Sequence, residues 1–214
     1  MGNTDYRLFY RRNLPHYQPA NATLFVTFRL AGSLPVEILQ RLREEYERTV
    51  AEFDKTLSLR ERSEMEYAAQ RRFFGRMDAY LDTGEYGPAW LQEPAVAQMV
   101  VESLHFRHGR VYDLDAFSIM PTHAHVLFSP LPLSNEKPHS LSSIMQSLKG
   151  YTAHKANEIL GREGAFWHHE SYDHVVRDTE EHKRIVRYIL NNPVKAGLAT
   201  AWQDWPWSYT KHQL

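Results

Sequence analysis

No cysteine occurs among the 214 residues. This excludes a disulfide framework, thiolate metal sites and a cysteine nucleophile, and it fits a reducing compartment. No apolar run approaches the roughly 18 residues that a membrane-spanning helix needs. The opening Met1-Gly2-Asn3-Thr4-Asp5-Tyr6-Arg7 has no basic flank leading into an apolar stretch, so a secretory signal is not expected. Neither sign of charge prevails: 25 Lys and Arg stand against 26 Asp and Glu, a net charge of −1 with histidine neutral. Any surface for phosphates must therefore come from local clustering. Repeats and low-complexity segments are also missing. Hydrophobic residues make up 43% and aromatics 13%, enough for a core and against wholesale disorder. The length suits one large domain or a core carrying an insertion. Twelve histidines supply candidate metal ligands and proton carriers.

Residues 1–21 read as a basic arm. Arg7, Arg11 and Arg12 outnumber Asp5, and Pro15 and Pro19 argue against a helix. Arginines beside Tyr6 and Tyr10 suit phosphate contact and base stacking, while a solvated terminus is the plainer reading of these residues alone. Residues 22–30 (ATLFVTFRL) predict a strand with Leu24, Val26, Phe28 and Leu30 on one face. From 36 to about 80, apolar residues recur at threes and fours opposite a face of mixed charge, which predicts helix. Further helices are expected at 94–106, opened by Pro94, and at 140–160, stopped by Gly161, with Leu141, Ile144, Leu148, Thr152 and Ile159 along one side. Strands are expected at 111–119, 124–129 and 172–177. Asp178-Thr179-Glu180-Glu181 resembles a capping box for a last helix that runs to Asn191 and ends at Pro193. Trp202, Trp205 and Trp207 are expected to pack back onto the body. This order predicts an α+β architecture, an antiparallel sheet covered by helices on one side.

Two patterns carry chemistry. In Thr122-His123-Ala124-His125-Val126-Leu127-Phe128, strand alternation puts both imidazoles on one face about 7 Å apart, where they can chelate one ion or simply be half-buried polar residues. In Arg187-Tyr188-Ile189-Leu190-Asn191-Asn192-Pro193, helical spacing puts Tyr188 and Asn192 on one face. A phenol beside a metal-positioned electrophile is a plausible nucleophile, and a core tyrosine on an amphipathic helix is the plainer reading.

Together these stretches resemble the single-tyrosine transposases that carry a His-hydrophobic-His strand and a catalytic-tyrosine helix. The likeness is greatest to the branch associated with repetitive extragenic palindromes. Arg12-Asn13-Leu14-Pro15-His16, Phe25-Val26-Thr27-Phe28-Arg29-Leu30, Leu148-Lys149-Gly150-Tyr151-Thr152, Ser171-Tyr172-Asp173-His174 and Trp205-Pro206-Trp207-Ser208 extend it from about residue 11 to about 209. The resemblance implies a ferredoxin-like sheet with helices packed on it. It also implies a single-stranded DNA hairpin, a palindromic repeat, as partner, with cleavage and rejoining through a 5′-phosphotyrosine link. Tyr188 is then the nucleophile. His123, His125 and Asn192 hold Mg²⁺ or Mn²⁺, and Arg11, Arg12, Lys149, Tyr172 and His174 are candidate DNA contacts. Thr122 stands where the family commonly has Asn. The chain is expected to be one domain: an arm at 1–21, a charged helical insertion at about 36–90, a catalytic core at 94–192 and a Trp-rich tail at 193–214. A cytoplasmic, nucleoid-associated protein of bacterial type, monomer or homodimer, is expected. Two other readings stay open at this point. One is a non-catalytic binder of DNA or RNA hairpins. The other is a metallohydrolase that adds Asp113 or Asp115 to the two histidines.

Overall fold

The structure, a computed structural model, describes residues 9–11, 15–17, 19, 22–54, 56–133 and 138–212. It divides into two compact units, one built from residues 1–31 and 89–214, the other from 32–88.

The first unit holds a five-stranded antiparallel sheet. Its strands are β3 (Leu24–Leu30), β4 (Tyr112–Ile119), β5 (His123–Pro130), β6 (Trp167–Val175) and β7 (Ser208–Thr210), in the order β6-β3-β5-β4-β7. A separate pair, β1 (Phe9–Arg11) and β2 (Pro15–Tyr17), precedes them. Helices α3 (Pro94–Arg107) and α4 (Leu141–Leu160) make the crossovers, and α5 (Thr179–Lys195) follows β6. The run β3-α3-β4-β5-α4-β6, with its first strand beside its third at the centre, is the ferredoxin-like arrangement, so the α+β expectation holds. Among the described residues, no helix is long and apolar enough to cross a membrane.

Alternation along the strands gives the sheet two different faces. Leu24, Val26, Phe28 and Leu30 lie with Leu114, Phe117, Ile119, Ala124, Val126 and Phe128. They form the core with Val96, Val100 and Leu104 of α3 and Ile144 and Leu148 of α4. Burying each such side chain contributes about 1.5–3 kcal/mol. The opposite face carries Phe25, Thr27, His123, His125, Leu127 and Ser118, and α5 covers it. Helices thus pack on both faces, which corrects the one-sided expectation. This is why β3 is buried along its whole length instead of alternating.

Local details differ from the pattern where tertiary contacts outweigh it. Ile159 is 43% exposed, because the buried row of α4 runs Leu141, Ile144, Met145, Leu148, Thr152, Ala156 and drifts past it. β6 begins at Trp167, five residues before the expected start. There the Trp167 indole donates to Thr152 Oγ1 at 2.8 Å. Pro193 lies inside α5 instead of ending it. Its ring forfeits only its own donor, and the next turn closes through the Ala196 amide donating to the Asn192 carbonyl at 2.9 Å. Trp205 does return to the body, its indole donating to the Ile119 carbonyl at 3.0 Å, and Ser208–Thr210 then adds the unforeseen strand β7 beside β4.

The second unit is a helix pair, α1 (Val36–Ala51) and α2 (Leu59–Asp82). The expected single helical stretch breaks at Ser58, whose hydroxyl and Glu61 form a capping box that opens α2. Tyr46 meets Phe73 with ring centroids 5.9 Å apart, Arg41 donates to the Tyr80 hydroxyl at 2.6 Å, and Arg76 pairs with Glu45. The ends of the unit close at Gly87, at φ +67°, where a Cβ would stand 2.0 Å from the Gly32 carbonyl oxygen. Gly87→Ala is expected to destabilise this unit by more than the ~1–2 kcal/mol of left-handed backbone alone. Gly84→Ala, at φ +64° in open space, is expected to cost only that. Urea unfolding read by circular dichroism compares them, and equal midpoints would remove the close approach from the account.

Candidate functional site

His123 and His125 project from β5 onto the face that α5 covers, and both are fully buried. Buried imidazoles need partners for both nitrogens. Thr27 Oγ1 lies 2.7 Å from His125 Nδ1, because Thr27 on β3 is the register partner of His125. Thr122 Oγ1 lies 2.9 Å from His123 Nδ1. The two Nε2 atoms then meet at 3.0 Å, and the Asn192 amide nitrogen approaches His125 Nε2 to 2.5 Å.

The hydrogen-bond roles follow from this crowding. The Asn192 amide donates, so His125 Nε2 accepts and the His125 proton sits on Nδ1, donated to Thr27. His123 Nε2–H can donate to the same lone pair. The His125 lone pair is thus aimed at a point that two donors already crowd. A divalent ion placed there would take that lone pair, the second imidazole after it sheds its Nε2 proton, and the Asn192 carbonyl oxygen. The two threonine hydroxyls would orient the imidazoles from behind. The donor set therefore fits a divalent ion of mixed nitrogen and oxygen preference. Burial pushes His125 down to about 3, with the Lys195 charge adding to the effect, so the imidazole stays neutral at pH 7 as a ligand must.

Helix α5 places the other half of the site. Asp178 Oδ1 accepts from the Glu181 amide at 2.7 Å and caps the helix. Glu181 does not complete the expected box. Its carboxylate accepts from the Arg177 amide at 2.9 Å and lies 3.3 Å from His174 Nε2. Val186, Ile189, Leu190 and Pro193 are buried. That burial turns Asn192, 1% exposed, into the sheet beside the histidines. Tyr188, one turn earlier and half-buried, lies edge-on to His125 with ring centroids 5.5 Å apart and to Phe25 at 6.0 Å.

The four residues singled out in the two motifs are therefore neighbours. The candidate DNA contacts are placed variously. Lys149 donates to the His169 carbonyl at 3.1 Å and to Ser171 Oγ at 3.2 Å. It lines a cavity of about 560 Å³ with Met145, Trp167 and His168. Tyr172 is 7% exposed, its ring edge-on to Phe25, so it offers no free face for a base in this arrangement. His174 is occupied by Glu181. Arg12 and the Arg11 side chain lie outside the described residues. Tyr151, on α4, is on the far side of the sheet and half exposed. Asp113 and Asp115 do not join the histidine pair: they engage Lys211, and Asp115 also His182 and His212. Thr27 and Phe25 were missed, and only the strand register, which puts Thr27 opposite His125, reveals them.

Residues 100–192 match the model of the family described as Transposase IS200 like. That stretch of the chain is similar to the IS200-like transposases. A REP-associated tyrosine transposase of Escherichia coli K12 is 28% identical over 102 residues, covering 48% of this chain and 56% of that protein. A Haemophilus influenzae protein is 28% identical over 104 residues, covering 45% of this chain and 58% of its own length. The match thus spans little more than half of these curated relatives. A solved REP-associated tyrosine transposase bound to a REP hairpin shares the fold, with a TM-score of 0.52 at 18% identity, over 93% of this chain and 80% of that one.

The buried neutral imidazole sets a pH dependence. Unfolded, His125 titrates near 6.5, and folded only near 3. Below pH 6.5 the unfolded state binds the extra proton, so stability contributed above 6.5 is lost as pH falls towards 3, at up to ~1.4 kcal/mol per pH unit for this group. Chelator-treated protein is expected to show this slope in urea unfolding, and His125→Gln to flatten it. An unchanged slope in the variant would assign the acid sensitivity elsewhere.

Proposed function

We propose that the chain is a metal-dependent single-strand DNA endonuclease and strand transferase that acts on hairpin-bearing DNA. The observation that carries the reading is the convergence of His123 Nε2, His125 Nε2 and the Asn192 amide beside the Tyr188 ring. A carboxamide and two imidazoles suit Mg²⁺ or Mn²⁺, with imidazole favouring Mn²⁺. Held by His123, His125 and Asn192, such an ion would polarise the phosphoryl group and orient the phosphodiester.

Tyr188 supplies the nucleophile. Its phenol loses the hydroxyl proton, and Oη bonds to the phosphorus. The bond from phosphorus to the 3′ oxygen of the preceding nucleotide breaks, and that oxygen takes up a proton. The products are a 5′-phosphotyrosine and a free 3′-hydroxyl. Reverse attack by a 3′-hydroxyl on the same phosphorus restores the phenol and rejoins a strand. A phosphodiester is close in energy to the one it replaces, so the exchange needs no external energy. The buried site face excludes water from competing for the phosphorus on the histidine side. Lys195 and Lys149 add positive charge for the strand, and so do Arg11 and Arg12 of the arm. Tyr172 and His174 act instead as positioning residues, through Phe25 and Glu181. The hairpin partner is proposed by likeness to the REP-hairpin complex.

With a single-stranded hairpin carrying a 5′ extension and Mn²⁺, a denaturation-resistant protein–DNA adduct is expected. Tyr188→Phe is expected to lose the adduct and keep hairpin binding. Binding with no adduct under any metal would favour a hairpin-binding protein, and cleavage that survives Tyr188→Phe would favour a metal-bound water as nucleophile. Thr27→Val, which removes the hydroxyl behind His125, is expected to weaken Mn²⁺ affinity ~10–100-fold while leaving DNA binding in chelator unchanged. Wild-type Mn²⁺ affinity in that variant would disprove the orienting role.

A further inference from the structure

Away from the paired histidines, a second group of ligand atoms meets where β4, α5 and the segment after β7 converge. Asp115 Oδ2 lies 3.4 Å from His182 Nε2, and Asp115 Oδ1 lies 3.3 Å from His212 Nε2. One atom from each residue falls within 4.8 Å of the other two. The rings of His182 and His212 stand 5.1 Å apart at 85° to each other. Asp115 is 4% exposed, although its element partners are strand residues with no need of a carboxylate. Strand alternation from the core residue Leu114 turns its side chain to the sheet face that α5 covers.

We infer that Asp115, His182 and His212 form a second divalent-cation site, suited to Zn²⁺. A tetrahedral zinc with bonds of about 2.0–2.1 Å separates its ligands by about 3.3–3.4 Å. The two nitrogens stand at that separation from Asp115, one from each carboxylate oxygen, so a single-oxygen ligand requires the carboxylate to turn. Two imidazoles and one carboxylate are a zinc donor set, whereas Mg²⁺ and Ca²⁺ ask for mostly oxygen. The His212 side chain is 38% exposed, so a fourth position would be open to water.

Without the cation, Lys211 takes its place: Nζ lies 2.6 Å from Asp115 Oδ1 and 2.5 Å from Asp113 Oδ2. Cation binding moves the ammonium fully onto Asp113, which is adjacent and half exposed. Both imidazoles must then present their Nε2 lone pairs to the ion. The three ligands come from three separate segments, so the ion would tie the start of α5 to β4 and to the residues after β7. His182 lies six residues before Tyr188 on the same helix. This site is independent of the role given to Tyr188.

The test is Zn²⁺ binding by the untagged full chain, read by equilibrium dialysis with metal analysis and by competition with a chromophoric chelator. His212→Ala is expected to weaken one equivalent more than ~10-fold. Asp115→Asn should do the same. That equivalent should persist in His125→Gln, which separates it from the first cluster. Lys211→Met, which removes the competing ammonium, should bind it more tightly. His212 and Lys211 lie beyond the core, and circular dichroism checks that each variant folds. Unchanged stoichiometry and affinity in His212→Ala, or weaker binding in Lys211→Met, would overturn the site.

Discussion

The hydroxyls of Thr27 and Thr122 fix everything else about the histidine pair. Each holds an imidazole by Nδ1, so both Nε2 atoms are driven to one point and Asn192 is added to them. Burial alone would leave two rings free to choose tautomers. Burial with a fixed back partner leaves one arrangement in which the open nitrogens face each other. The Thr122 hydroxyl makes the bond that keeps His123 in place.

That arrangement depends in turn on the two-faced sheet. One face is filled with branched and aromatic side chains against α3 and α4, which fixes the strands without asking anything of the opposite face. The opposite face is then free to carry polar groups, and α5 closes over them. The helix brings the phenol and the carboxamide one turn apart, and its burial through Val186, Ile189 and Leu190 decides which side of it looks at the sheet. Stability and chemistry are thus divided between the two sides of a single layer.

Much of this was legible in the residues, because the signals were local. Two histidines separated by one residue must share a strand face, and a tyrosine and an asparagine four apart must share a helix face. The α+β order followed from runs of different period. What could not be read was set by distant partners. Thr27 meets His125 across 98 positions of sequence. β7 is three residues of ordinary composition that become a strand only because β4 offers an edge. Pro193 reads as a terminator, yet the helix continues past it because buried neighbours hold the next turn. Ser58 and Glu61 were a legible break that mixed charge on both sides obscured. Asp115 sat near the histidines in sequence, yet it meets His182 at the start of α5 and His212 after β7, away from the end of the helix that carries Asn192.

The short strand β7 has one further effect. By pairing with Ala116, Phe117 and Ser118 it occupies the outer margin of β4, with the Lys211 amide donating to the Asp115 carbonyl just beyond it. A second copy that sought to lengthen the sheet there, backbone to backbone, would first have to peel residues 208–210 away. The same motion would pull Lys211 and His212 off Asp115, so sheet extension along that margin and occupation of the carboxylate by its own chain are mutually exclusive.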